Sequence, residues 1–237
     1  NLPVRISFFL LFFCHLFSEA YFVPPKDWMV ADPSQLSPRV HVSFLTKGKK
    51  EYCPSLNLAS EKVTLSLEEY MKAVKNAHSR DKNSHWRDLG KFSTRAGEGR
   101  LTEIESKTTL GVARLLQFIT VQDGVAYVLT ASALKEEFAD HMKEFQKAFQ
   151  SFSITSDLFS CIEKKEQREN LKKEVDALLL AWQKREASLE SHANKADEDF
   201  RNRCFLPFQK KVLEEFSEMG GHWQILMLQW VQNKLKQ

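Results

Sequence analysis

The chain has 237 residues and a formal net charge of +3, and hydrophobic residues make up 43% of it. This composition is typical of a globular protein and excludes a chain that is disordered along most of its length. Positive and negative side chains are interspersed without a sustained basic stripe, so we expect no nucleic-acid partner.

Residues 1–20 have the pattern of a secretory signal peptide. Arg5 supplies a positive charge, residues 6–17 form an apolar run too short to span a bilayer as a helix, and residues 18–20 (Ser-Glu-Ala) resemble a cleavage site. We therefore predict cleavage after Ala20 and an exported protein, either periplasmic or secreted. Membrane association is expected only through a partner or an uncleaved signal.

The next elements in chain order are a strand, a helix and four further strands. Alternating apolar residues predict the first strand over residues 40–45. Ser66 and Glu69 have the spacing of a capping box, which predicts a helix from there to about residue 78. The strand pattern then returns in four segments, residues 86–94, 99–106, 111–121 and 125–132.

A hairpin and a helix follow from the pattern between residues 111 and 152. Asp123-Gly124 separates two apolar runs, and glycine readily adopts the positive φ that tight hairpin turns require. The next segment predicts a helix with one apolar face, because its large residues recur at steps of three and four. These residues are Phe138, Met142, Phe145, Phe149 and Phe152.

The same region carries a family resemblance. Residues 126–131 (Ala-Tyr-Val-Leu-Thr-Ala), residues 136–138 (Glu-Glu-Phe) and residues 149–152 (Phe-Gln-Ser-Phe) resemble the C-terminal half of the PsbP-like superfamily. Residues 22–28 (Phe-Val-Pro-Pro-Lys-Asp-Trp) are more weakly similar to its Pro-x-x-Trp entry strand. The superfamily includes the PsbP subunit of photosystem II, small bacterial exported proteins and a nuclear Ran-release factor. The resemblance covers roughly residues 22–154 and implies a non-enzymatic binding or stabilising subunit.

We predict an α+β fold, with an antiparallel sheet flanked by helices as in a PsbP-like sandwich and a helical C-terminal extension. The predicted divisions are a signal peptide (1–20), the α+β domain (21–157) and the extension (158–237). The extension has one long helix to about residue 192, a second over residues 197–216 that is interrupted at Pro207, and a terminal helix after Gly220-Gly221.

The terminal helix carries an apolar stripe with two interpretations. The stripe is either buried within the same molecule or serves as a docking face for a protein partner, since tryptophan is enriched among interface anchors. The candidate partner-binding residues are Trp223, Leu226, Met227 and Trp230.

Three carboxylates form the candidate metal site. Glu103 and Glu105 share one face of a predicted strand, and Glu98 lies on the loop before it. Such oxygens suit a hard cation such as calcium or manganese. The alternative is a solvated face whose charges are balanced by nearby basic residues, namely Lys91, Arg95 and Arg100.

Cys161 and Cys204 are the candidate disulfide pair, since export permits disulfides and both residues lie in the helical extension.

The sequence contains no nucleophile elbow and no phosphate-binding glycine loop, so we predict neither an enzyme nor a cofactor. The leading hypothesis is an exported non-enzymatic scaffold that binds another protein. The alternatives are a carrier of a small ligand, bound between sheet and helices, or of a cation, and an enzyme of unfamiliar type.

Overall fold

A computed structural model describes residues 18–48, 51–186 and 193–236 of the chain. Most of the predicted signal peptide, residues 1–17, lies outside the described residues. Its last two residues, Glu19 and Ala20, begin strand β1 (Glu19–Tyr21), which pairs antiparallel with β9 (Ser153–Thr155).

A seven-stranded antiparallel sheet forms the centre of the fold, in the spatial order β2-β3-β4-β8-β7-β6-β5. Its strands are β2 (Met29–Val30), β3 (Val40–Leu45), β4 (Ser55–Lys62), β5 (Ser84–Thr94), β6 (Gly97–Thr108), β7 (Gly111–Gln122) and β8 (Val125–Leu134). The predicted strands are all present, and the predicted α+β class is confirmed. β2 and β4 were not predicted, although Leu56 and Leu58 of β4 alternate with polar residues and are buried.

The helices of the described residues are α1 (Leu67–His78), α2 (Phe138–Gln150), α3 (Lys165–Glu186), α4 (Ala193–Phe200), α5 (Leu206–Glu215) and α6 (Gly220–Leu235). The predicted capping box starts α1: the backbone N–H of Glu69 donates to the Ser66 hydroxyl at 3.3 Å, and the backbone N–H of Ser66 donates to the Glu69 carboxylate at 2.8 Å. A π-helical turn, Arg201–Phe205, joins α4 to α5.

The predicted hairpin turn is present between β7 and β8. Asp123 has φ 50° and Gly124 has φ 75°, the two positive values that a type I′ turn needs. The hairpin packs against α2, where Phe138, Phe145 and Phe149 are buried as predicted. Met142 was predicted to share this buried face but is 39% exposed, because it lies at the margin of the stripe.

The C-terminal helices form a second apolar cluster, separate from the core under α2. α6 connects this cluster to the sheet, because its first residues lie against the segment that follows β1. A Cβ at Gly220, where φ is +82°, would lie 3.0 Å from Val23 Cγ1. Glycine there permits this close approach.

Candidate functional site

A groove of the sheet region lies between α1 and the sheet edge formed by β5 and β6. It has a volume of about 560 Å³. α1 crosses one face of the sheet, opposite the face covered by α2, and buries only Met71 of its own residues. The lining comprises Leu67, Glu68, Met71, Lys72 and Lys75 of α1, and Trp86, Asp88, Lys91, Glu98, Gly99 and Arg100 of the strands. We call this space the α1–β5 groove.

Strand register places the polar and apolar lining residues on one sheet face. Trp86 pairs with Ile104, Asp88 with Thr102, and Lys91 with Arg100. Residues two apart on a strand share a face, so the groove-facing residues of β6 are the even-numbered ones. The side chains that approach α1 therefore belong to one continuous surface.

Two buried polar groups at this surface have no hydrogen-bond partner. They are the indole N–H of Trp86 and the hydroxyl of Thr102. A buried donor that lacks a partner costs about 1–3 kcal/mol, so such groups are uncommon unless a ligand or water completes them. Trp86 itself lines the α1–β5 groove, but its indole nitrogen is covered, so an incoming acceptor meets this donor only after neighbouring side chains shift.

Ion pairs surround the apolar floor of the groove. Lys72 pairs with Glu68 at 3.1 Å, Lys91 pairs with Glu98 at 2.8 Å, and Arg100 pairs with Asp88. Partial burial raises the pKa of Asp88, but hydrogen bonds from Arg100 and from the backbone of Gly90 outweigh it, so the net pKa lies below its usual value. The Asp88 carboxylate is therefore charged at neutral pH.

The outer edge of β5 pairs with no described strand, because β6 is its sole neighbour in the sheet order. A register shift between Asp88 and Gly90 makes Leu89 an extra, bulged residue, and its side chain is 45% exposed. Gly90 adopts φ +99° there, and its N–H donates to Asp88 Oδ1 at 2.9 Å. An open strand beside a helix presents unpaired backbone groups and a side-chain groove together.

The predicted cation site is not assembled. Glu98 belongs to β6 and not to a loop, and it is five residues from Glu103, so the two side chains lie on opposite sheet faces. Glu103 pairs with Arg87 at 2.5 Å, and Glu105 pairs with Arg114 at 2.6 Å. Among the described residues, no three His, Cys, Asp or Glu side chains converge in a way that holds a metal.

The face of α6 predicted to dock a partner is largely used inside the molecule. Trp223 and Met227 are fully buried, and the indole N–H of Trp223 donates to the backbone oxygen of Leu158 at 3.1 Å. The prediction that these two residues are exposed anchors is therefore wrong, and the alternative of burial holds for them. Leu226 and Trp230 are partly buried against the same helical cluster.

The predicted disulfide is absent, since Cys161 and Cys204 are both thiols. Cys161 lies in a turn before α3, where its Sγ is 3.8 Å from the backbone oxygen of Asp157. Cys204 lies in the π-helical turn and lines a groove with Ala181 and Pro207. The two residues thus line different pockets.

Sequence reasoning did not find the α1–β5 groove. The capped helix α1 and the strand that starts near Trp86 were both predicted. Their packing against each other was not, because the local sequence pattern of an element does not show which other element it contacts. A signal was present in β5, where exposed charged residues alternate with half-buried aromatic ones, as expected for an edge strand.

None of the helices among residues 18–48, 51–186 and 193–236 combines the length and apolar character that crossing a membrane requires.

No protein-family profile matches the chain, and no curated protein matches it.

Several solved structures resemble the chain. LpqN of Mycobacterium tuberculosis, involved in cell envelope biogenesis, has a TM-score of 0.45 and 12% identity over 58% of this chain and 84% of LpqN. PsbP of the cyanobacterium Synechocystis has a TM-score of 0.37 and 15% identity over 58% of this chain and 92% of that protein. A Pseudomonas aeruginosa protein of unknown function has a TM-score of 0.39 and 9% identity over 52% of this chain and 94% of that protein. Cyanobacterial PsbP is thus among the structures similar to this chain, as the sequence resemblance indicated, and the likeness concerns the fold alone.

Proposed function

We propose that this protein is an exported, non-enzymatic binding protein that captures an extended, acidic segment of a partner protein along β5, within the α1–β5 groove. The observation that carries the proposal is the unpartnered indole N–H of Trp86 in a groove beside an open strand edge. An added strand would pair its backbone with the open edge of β5, and its side chains on the α1 side would enter the groove beside Trp86, where a carboxylate can accept from the indole N–H.

The charge of the edge favours an acidic segment. Arg87 and Lys91 of β5 already pair with Glu103 and Glu98 of β6, so the net positive charge comes from Lys75, which lines the groove, and from Arg95 at the end of β5. Pairing with a second copy of β5 would bring like charges together, whereas an acidic segment meets opposite charges.

The groove supports binding better than catalysis. Its carboxylates are already paired with Lys72, Lys91 and Arg100, so none is poised as a general base. The floor formed by Leu67, Met71 and Trp86 suits apolar side chains of a peptide. The proposed role is therefore recognition, with the sheet as a rigid support.

The proposal is tested with the purified chain and a displayed library of random twelve-residue peptides. We expect selection of peptides rich in Asp and Glu with interspersed apolar residues, and single-site binding of a selected peptide by calorimetry. Leu89→Asp should weaken that binding at least tenfold, because it places a negative charge on the edge. Leu180→Asp is the matched control, since Leu180 is similarly exposed, at 51%, but lies on α3. Selection of basic peptides, or equal effects of the two substitutions, would contradict the proposal.

A further inference from the structure

The helical region contains a second cavity, distant in the fold from the α1–β5 groove. It has a volume of about 540 Å³ and lies among α3, α4, α5 and α6. This size is within the range of about 300–1,000 Å³ that is common for small-molecule sites. Its apolar lining comprises Trp182, Phe200, Phe205, Leu206 and Leu235, and its polar lining comprises Asp197, Arg201, Gln209, Gln232 and Lys236.

We propose that this cavity binds a single-chain fatty acid, with the alkyl chain against the aromatic walls and the carboxylate at Arg201 and Lys236. Both cations are exposed at the rim, and neither forms an ion pair with a described residue. The one carboxylate of the lining, Asp197, is already paired with Arg185. Among the described residues, the rim therefore has two positive charges without an ion pair beside an apolar wall, which complements an anionic head on an apolar chain.

The walls are held in place before any ligand arrives. The Trp182 and Phe200 rings meet edge to face with centroids 4.9 Å apart, and the Arg185 guanidinium lies 3.6 Å from the Trp182 ring centroid. The ion pair of Arg185 with Asp197, a lining residue, then links α3 to α4. A fixed aromatic wall lowers the ordering cost of binding.

The π-helical turn explains why Phe200 and Phe205 both face the cavity. Residues five apart are about 140° apart around an ordinary α-helix, so they point in different directions. In the turn Arg201–Phe205, the backbone N–H of Leu206 donates to the oxygen of Arg201, five residues back, which aligns residues at that spacing. Pro207 has no N–H for the oxygen four residues back, which disfavours the regular pattern here.

The test uses cis-parinaric acid, a fluorescent polyene fatty acid, with the purified chain at concentrations below micelle formation. We expect saturable binding at one site, with energy transfer from tryptophan to the polyene. Arg201→Glu combined with Lys236→Glu should weaken binding at least tenfold, whereas Lys210→Glu, an exposed charge reversal on α5 outside the cavity lining, should leave it unchanged.

A second pair of substitutions tests the apolar wall. Leu206→Asp should weaken binding at least tenfold, while Leu213→Asp on the same helix should not; the two leucines are 39% and 47% exposed. The methyl ester of the probe should bind at least tenfold more weakly than the acid. Binding that does not saturate, equal binding of acid and ester, or equal effects of the two leucine substitutions would overturn the assignment.

Discussion

Phe22 and His222 lie 200 residues apart in sequence and are joined by a hydrogen bond, in which the backbone N–H of Phe22 donates to Nδ1 of His222 at 3.3 Å. Their rings also meet edge to face, with centroids 5.2 Å apart. Both side chains are buried, so the first described segment and the last helix share one interface. This contact requires a neutral imidazole, because a protonated Nδ1 is a donor and cannot accept.

The buried imidazole predicts a pH dependence of stability. Burial, with a smaller contribution from the charge of His41, lowers the pKa of His222 from 6.5 to about 3. The unfolded chain therefore binds a proton below pH 6.5 that the folded chain does not, and stability falls as the pH decreases from 6.5 toward 3. At pH 5 the loss should be about 2 kcal/mol, at about 1.4 kcal/mol for each pH unit.

Urea unfolding at pH 7 and pH 5 measures this loss. His222→Asn should lower stability at both pH values but remove most of the difference between them. His141→Asn is the control, since His141 is a partly exposed side chain beside Glu144. An unchanged pH difference in His222→Asn would contradict the assignment.

Glu105 predicts a second, more acidic dependence. Hydrogen bonds from Lys135 and Arg114 lower its pKa from 4.5 to about 2. Its contribution is therefore fully present above pH 4.5 and is lost as the pH falls through about 2. Because the carboxylate is partly solvated, we expect Glu105→Gln to cost only about 1 kcal/mol at pH 7. Thermal unfolding of both proteins should show this difference shrinking below pH 4.5, and a constant difference down to pH 2 would argue against the ion pairs.

Trp223 and Trp230 should differ sharply in their effect on folding. Trp223 is fully buried and makes a hydrogen bond to Leu158, so Trp223→Ala should cost about 3–5 kcal/mol. Trp230 is partly exposed and contacts Phe159 edge to face, so Trp230→Ala should cost clearly less. Denaturant unfolding of the two variants checks the order, and equal costs would contradict the assignment of Trp223 to the core.

The predicted cleavage site gives a direct test of export. Mass spectrometry of the protein expressed in a bacterium with a general secretory system should find a mature chain that begins at Tyr21. Cleavage after Ala20 removes two of the three β1 residues, Glu19 and Ala20, and leaves the pairing of Tyr21 with Ser153. We therefore expect processing before β1 and β9 pair. A secreted chain that retains Glu19 would contradict this cleavage site.

Local patterns predicted the meander of the sheet, α1 and α2, because alternation, capping and a glycine turn act within a few residues. β4 was missed, since Leu56 and Leu58 are too few to distinguish a strand from a polar connector. The stripe with Trp223 left both burial, the default interpretation, and docking open, because periodicity shows that a face is apolar but not what covers it. Placing Glu98 beside Glu103 failed for a similar reason, since strand boundaries decide which face a residue occupies.

The most direct test of the α1–β5 groove is Trp86→Phe, measured for both stability and binding. Removal of the unpartnered indole N–H relieves a cost of about 1–3 kcal/mol, and the smaller ring loses packing of similar size, so the free energy of unfolding should change little. Affinity for a selected acidic peptide should fall at least tenfold, because the donor that meets a carboxylate side chain of the peptide in the groove is gone. Unchanged affinity with unchanged stability would show that the groove does not use this donor and would contradict the proposed recognition.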